Sequence, residues 1–492
     1  MGNNRLTRLL FQQITRKQWH PPADTRTGAF HGRPYSSNSL KEALKPEIPE
    51  EISSSAVCIY KVPDIMRRVQ RKAYQPNVIS IGPYHHGVER LEAMEKLKLK
   101  FVCRLFDQNG LELDLVKNAL GKLEEEARIC YSEEKEIRLG KDGFVEMMLV
   151  DGCFVVELLR EVWRRESEHQ IPFIQRWMLP IFRRDLIMLE NQLPFFVLSE
   201  LFEITSKNTT PPPPQPPCLQ KLALHFFNPL LQRDFDTTPP KIVATGEGST
   251  GARHFLDLFR STIVPVTPAR RKQPNMIRST TELKEAGVKI QRAKHSQLLD
   301  VTYEEGVLKI PPLYIDDYKG TLFRNMMAFE KCHRHCHPDV TTYMFFFDGL
   351  INSAKDVGLL HYKEVLQHSL GSNREVAKLV STICREIDRV ADESYLYMVA
   401  DDANSYFASI YAKFRAGLVR HYFSSWLVGF STMGAIFALY LTLVQTASGI
   451  ASAIEPLGKG DFGSYIKDSV LLPFSGKPSS RGGSTTGEDE SL

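Results

Sequence analysis

The sequence predicts a mainly α protein, α+β only through a few short strands, in which a large helical body is followed by one C-terminal transmembrane helix. Three observations predict it. From Tyr422 to Ile454 there is no charged residue, and within that run Trp426 to Val444 is apolar apart from glycine, Ser431, Thr432 and Thr442. Coiled as a helix, Trp426 to Val444 rises about 28 Å, close to the roughly 30 Å of a bilayer's hydrocarbon core. Phe144 to Trp163 is apolar on nearly every side, the pattern of a helix sunk in a core. Leu91, Met94, Leu97, Phe101 and Leu105 recur at spacings of three and four, which marks one face of an amphipathic helix.

Composition sets the limits. The 492 residues, 42% of them hydrophobic, suffice for a substantial core and for two to three domains or one large body split by a linker. With 62 basic against 58 acidic residues the net charge of +4 is small and dispersed, which speaks against nucleic acid as a partner. Eight cysteines, at 58, 103, 130, 153, 218, 332, 336 and 384, are scattered without a C-x-x-C pair. They are expected as buried thiols in a reducing compartment rather than as a disulfide framework.

Taken in order, residues 1–50 form a basic arm: Arg5, Arg8, Arg16, Lys17, Arg26 and Arg33 stand against Asp24 alone up to Tyr35. Such an arm reads as disordered, with an organelle transit peptide as the alternative. Residues 56–203 are expected to form the first half of the body. They open with a strand-like run at Cys58–Val62, a helix from Asp64 and the turn Ile81-Gly82-Pro83-Tyr84-His85-His86-Gly87. Residues 112–136, rich in Glu and Lys, read as a solvated helix, and Asp185–Phe202 as a core helix broken or restarted at Pro194. Thr209–Pro217 is a polyproline II run, and with the Pro and Gly of 237–251 it makes residues 204–253 a linker or long insertion. Residues 254–421 form the second half. A helix-like run at His254–Ser261 leads to a capping box, Ser279-x-x-Glu282, and to short strands at Val307–Ile310 and Leu313–Ile315, followed by helices to about 420. The membrane helix covers 422–454, and the Gly- and Ser-rich 455–492 reads as a disordered tail.

Several of these stretches together resemble the plant family of domain of unknown function 247 (DUF247), also called UPF0481. They are Val62-Pro63 with Pro76 and Ile81–Gly87; Asp151–Leu158; Asp185-Leu186-Ile187-Met188-Leu189-Glu190-Asn191-Gln192-Leu193-Pro194; Ala286-Gly287-Val288; Ile310–Leu313; Phe329-Glu330-Lys331-Cys332; and Asp348–Asn352, followed by the span. The resemblance implies a mostly helical body with a C-terminal membrane helix and no established enzyme activity. Some grass members resemble pollen-side determinants of self-incompatibility, so it also implies a recognition or signalling role.

Four groups of residues invite chemistry. Gly246-Glu247-Gly248-Ser249-Thr250-Gly251 is a literal dinucleotide-loop pattern. It lacks the second strand and acid of a βαβ unit, since Arg270-Arg271-Lys272 stand about there, and its Pro, Gly and Thr surroundings favour a plain linker. Cys332 and Cys336 at i, i+4, with His333 or His337, would supply three or four zinc ligands, against which stands a solvated His-rich helix end. Asp151, Glu157, Asp185 and Glu190 lie among apolar residues, where paired carboxylates would do acid–base work. Alternatively they accept hydrogen bonds from backbone amides or from buried Arg183 or Arg184 and set how the helices pack. His85 and His86 would complete a membrane-tethered hydrolase, yet no G-x-S-x-G elbow accompanies them.

No catalytic residue, cofactor or metal is therefore assigned. The expected partners are the lipid bilayer and an unidentified protein. Lys413, Arg415 and Arg420 precede the span and Lys459 and Lys467 follow it, which favours a cytoplasmic body on a single-pass protein, with the plasma membrane as its expected place. Asn208-Thr209-Thr210, the one N-glycosylation sequon, would be used only if the body faced a lumen.

Overall fold

Helices carry nearly every stretch whose apolar side chains recur at three and four in the computed structural model, which describes residues 56–134, 137–164, 171–206, 217–231, 251–265, 276–294, 297–387, 394–422 and 426–454. The basic arm, most of the 204–253 stretch with Asn208 and Gly246–Ser249, the Arg270–Lys272 loop and the tail lie outside the described residues.

The chain enters as a strip of little regular structure, residues 56–91, interrupted by α1 (Asp64–Val69) and three short 3-10 turns. Cys58–Val62 is not a strand: its pairing is a bridge from Ile59 to Tyr131. Helix α2 (Glu92–Asn109) buries Leu97, Phe101 and Leu105, as their spacing predicts, and stops at Gly110 in the left-handed region. Helix α3 (Leu113–Ile129), expected to be solvated, buries Val116, Leu120, Glu124 and Ala127. These positions three and four apart form a stripe hidden among Glu and Lys, and it packs on α4 (Lys141–Arg164).

Helix α4 is the hub, in contact with α2, α3, α6 and α7. Its Phe144, Met148, Phe154, Val156 and Leu158 are fully enclosed, and burying each such side chain contributes roughly 1.5–3 kcal/mol. Gly152 lets α6 approach, since a Cβ there would lie 2.3 Å from the Leu201 side chain. Asp185–Phe202 is two helices. Helix α5 (Met178–Leu186) ends, residues 187–194 run irregularly, and α6 (Phe195–Ser206) starts directly after Pro194, whose ring cannot continue a helix. Inside the stretch expected to be linker, α7 (Leu219–Phe227) buries Leu222, Ala223, Phe226 and Phe227. That apolar stripe overrides the proline-rich sequence before it.

In the second half, α8 (Phe255–Ser261) is capped by His254. The capping box of α9 (Thr280–Ala286) is present in both directions, with Gly287 at φ 108 ending the helix. Strands β1 (Lys289–Arg292), β2 (Thr302–Glu304) and β3 (Val307–Ile310) form a sheet in the order β1-β3-β2. β1 runs parallel to β3 with Ile290 opposite Leu308, and β2 runs antiparallel to it. β4 (Leu313–Ile315) pairs parallel with β5 (Leu366–His368). Helices α10 (Lys319–Cys332), α11 (Asp339–Leu350) and α13 (Asn373–Ile383) pack on one another, α12 (Ala354–Tyr362) packs on α13 and β5, and α14 (Tyr397–Ala408) packs on β2 and α9.

The chain divides into two units between Lys413 and Phe414, within helix α15 (Ile410–Tyr422). The C-terminal unit holds α16 (Trp426–Ile454), a 29-residue helix. Its stretch Phe430–Ile450 is long and apolar enough to cross a membrane and is not covered by the rest of the chain. Both this stretch and Trp426–Val444, expected from the sequence, lie within the one helix Trp426–Ile454.

Candidate functional site

The buried acids, the candidates for chemistry, converge on the entering strip, and the irregular segment 187–194 is what brings them there. Asp185, at the end of α5, is completely buried. Its Oδ2 accepts hydrogen bonds from three successive backbone N–H groups, Asn77 at 2.9 Å, Val78 at 2.7 Å and Ile79 at 3.1 Å. Burial pushes the Asp185 carboxyl up from the usual carboxylate range while those three donors pull it down. Asn191 continues the seam: its Oδ1 accepts from the Ile81 N–H at 2.7 Å, and its Nδ2 donates to Ile79 O and Asp185 O. Gln192 Nε2 donates to Leu186 O and Met188 O, which holds the segment's own turn, while its Oε1 accepts from the Leu256 N–H.

Glu190 closes the next rung. Its Oε1 accepts from the Val62 N–H at 2.6 Å and from the Arg67 guanidinium, and its Oε2 lies 3.5 Å from His85 Nε2. Burial raises the Glu190 carboxyl, against the opposing pull of Arg67. Burial also pushes His85 down to about 4, so its ring is neutral at pH 7. His86 points to solvent. Asp151, on α4, accepts from the Gly82 N–H at 2.9 Å and from Lys98 Nζ at 2.6 Å. Lys98 is itself fully buried and also bonds Ser80 O and Glu95. Burial alone would lower the Lys98 pKa, but Asp151 and Glu95 outweigh it and the net direction is up. Gly82 is required where it stands: at φ 76, a Cβ would come within 2.5 Å of the Gln192 carbonyl oxygen.

The seam is therefore a clasp. Carboxylates and the Asn191 amide, from 151, 185, 190 and 191, take up backbone donors of residues 62–82, of which those of Val62, Ile79, Ile81 and Gly82 would otherwise be buried unpaired. Each catalytic candidate except His86 has its polar atoms turned onto protein in an enclosed setting. Arg183 and Arg184 are not the main partners. Arg183 donates to Phe226 O at 2.7 Å and Arg184 to Lys72 O at 2.8 Å, with Arg184 only 3.7 Å from Asp185 Oδ1. Glu157 pairs instead with Arg164, 3.1 Å away on its own helix.

A second cluster of the same kind joins the later motifs. Glu330 accepts from Arg260 Nε at 2.9 Å, from the Val340 and Thr341 N–H groups at 2.8 Å, and from the Thr341 hydroxyl at 2.7 Å, so α8, α10 and α11 meet on one carboxylate. Nearby, His254 Nδ1 accepts from the Asp257 N–H and its Nε2 donates to Cys58 O at 3.0 Å.

Cys332 and Cys336 do not share a helix. Helix α10 ends at Cys332, His333 is extended, and Cys336 follows in a turn bonded to His333 O. His333 is buried, its ring stacked on Phe329 and its Nδ1 2.9 Å from the Tyr60 hydroxyl, whereas Arg334, His335 and His337 are exposed, so the helix end is solvated except at His333. Burial pushes the Cys332 thiol up to about 11 and Cys336 higher, so both are protonated thiols at pH 7. Among the described residues no group of three or more His, Cys, Asp or Glu is placed to hold a metal ion.

Sequence reasoning missed Lys98, Arg67 and Arg260, which complete these clusters from sequence-distant positions. It also missed a surface pair between α4 and α5: Phe173 and Trp177 are 51% and 50% exposed, and Phe173 sits in the left-handed region at φ 64.

Comparison with known proteins gives a consistent result. The DUF247 family profile, described as a plant protein of unknown function, matches residues 59–441. A UPF0481 protein of Arabidopsis thaliana is 30% identical over 456 residues, covering 86% of this chain and 92% of its own. A second UPF0481 protein of the same plant is 23% identical over 506 residues, covering 84% of this chain and 94% of its own. No solved structure matches the chain.

Proposed function

This chain belongs to the DUF247 family, and from that premise we propose that it is a single-span membrane protein whose helical body recognises another protein in a signalling or self-recognition role. The observation that carries the anchor is α16. Its large side chains from Phe430 to Ile450 stand exposed along a helix without a charge, a surface that water disfavours and a bilayer accepts. Recognition is supported by Phe173 and Trp177, exposed aromatic residues of the kind that dominate binding hot spots. The hydrolase reading loses support because Asp151, Asp185 and Glu190 face backbone amides. A cytoplasmic body is supported by Lys413, Arg415 and Arg420 before the span against Lys459 and Lys467 after it, and the plasma membrane is the place this reading assigns.

Proximity labelling from the native membrane tests this reading, with wild type beside the variant Phe173→Ala/Trp177→Ala. A neighbour labelled by wild type and lost from the variant is the expected result. An unchanged set of neighbours would sink the recognition surface. Ile436→Arg/Leu439→Arg should release the protein on alkaline extraction, since each charge at a span's centre costs about 2.5–3.5 kcal/mol. A mobility shift on enzymatic deglycosylation at Asn208 would place the body in a lumen and overturn the orientation.

A further inference from the structure

Helix α15 carries an uncovered apolar face with cations on both of its flanks. Ile410, Tyr411 and Phe414 are 89%, 74% and 66% exposed, whereas Ala412 is fully buried. At about 100° per residue the three large side chains fall within a sector about 100° wide and Ala412 lies on the other side, so the small residue is turned in and the large ones are turned out. Lys413 lies about 60° beyond Ile410 and Arg415 about 40° beyond Tyr411 on the opposite edge, and both are exposed. The sequence adds Arg420 to the same helix and holds no Asp or Glu from Ala403 to Ile454.

An apolar sector edged by cations is the arrangement of a helix that lies in the plane of a membrane interface, with its apolar side chains at the acyl boundary and its cations among the headgroups. Charge and continuity choose the occupant. A protein groove would cover the apolar face without needing cations at both edges or an acid-free approach, while an anionic leaflet attracts such cations. Three residues then separate Tyr422 from the start of α16 at Trp426.

We propose that α15 lies in the headgroup layer of an anionic bilayer, with Ile410, Tyr411 and Phe414 in the acyl boundary and Lys413 and Arg415 against lipid phosphate and carboxylate groups. This rests on the reading of α16 as a membrane anchor.

The test is amide hydrogen exchange on the full chain in detergent micelles, in phosphatidylcholine nanodiscs and in nanodiscs that also contain phosphatidylserine. Exchange across 410–422 should be slower in nanodiscs than in micelles. Phosphatidylserine should slow it further, by roughly thirtyfold for two cations at the surface. That further gain should vanish in about 0.5 M salt, where charges are screened within a few Å, and in Lys413→Glu/Arg415→Glu. Phe414→Asp should speed exchange in both nanodiscs.

Equal exchange of 410–422 in micelles and nanodiscs, or indifference to phosphatidylserine and to the charge reversal, overturns the proposal. The 430–450 segment separates the two readings. If it is protected in nanodiscs while 410–422 is not, only the interfacial helix fails; if it exchanges freely, the anchor fails too.

Discussion

Asp185→Ala removes the acceptor of three consecutive N–H groups, those of Asn77, Val78 and Ile79. The three differ in what can replace it. Ile79 is buried, Val78 half-buried and Asn77 at the surface, so water reaches the last but not the first. A buried N–H left unpaired costs about 1–3 kcal/mol. Counting Ile79 in full and Val78 in half, with nothing for Asn77, gives about 1.5–4.5 kcal/mol. Part of that is offset, because the burial that raises the Asp185 carboxyl is itself unfavourable and the variant is relieved of it. We therefore expect a loss of about 1–4 kcal/mol from Asp185→Ala, and a smaller one from Asp185→Asn, which keeps an oxygen acceptor. Urea unfolding of the full chain in micelles, followed by tryptophan fluorescence, measures the loss. Hydrogen exchange locates it, since the amides of 77–79 should accelerate in the alanine variant more than those of α3. A variant within about 0.5 kcal/mol of wild type, or unchanged exchange at 77–79, would refute the clasp and return this carboxylate to the candidates for chemistry.

Arg260→Met leaves Glu330 buried beside two amide donors without its cation. It should cost about 3–5 kcal/mol, with Glu330→Gln in the same background recovering part of it in a double-mutant cycle. Gly82→Ala combines a left-handed backbone with a Cβ 2.5 Å from Gln192 O; thermal unfolding should show a loss of at least about 2 kcal/mol, whereas an unchanged midpoint would mean the turn relaxes freely. Burial pushes His254 down to about 4 from 6.5. The unfolded chain therefore takes up this proton first, and the contribution is complete above pH 6.5 and lost as pH falls toward 4. Against His254→Asn, which keeps a cap acceptor and does not titrate, the wild-type advantage should shrink by about 2 kcal/mol between pH 7.5 and 5. Buried carboxyls such as Glu330 titrate in both proteins and cancel, so a constant difference would refute the assignment.

What could be read from the sequence was local. The all-round apolarity of α4, the Ser279–Glu282 box and the restart at Pro194 each depend on neighbours within a few residues, and each appears in the structure. The partners of the acids were not legible for the complementary reason. Arg183 and Arg184 were the obvious choices by proximity in the chain, but residues one and two apart on a helix do not face each other. The true donors to Asp185 and Glu190 lie in residues 62–79, more than 100 positions away, and no local period encodes such a pairing.

The stretches that carry the family resemblance nevertheless contact one another. Gly82 bonds Asp151, Ile81 bonds Asn191, Val62 bonds Glu190, and Glu330 gathers α8, α10 and α11. Their residue types answer to the need to satisfy buried backbone groups, which makes them poor guides to chemistry. Function is better sought where the fold leaves costs uncorrected: two half-exposed aromatic residues before α5, and an apolar, cation-edged helix immediately before a charge-free one. Neither lies within the motifs that make the chain recognisable. A search guided by those motifs would therefore return to the clasp, whereas variants at Phe173, Trp177, Phe414 and Arg415 alter exposed side chains outside it.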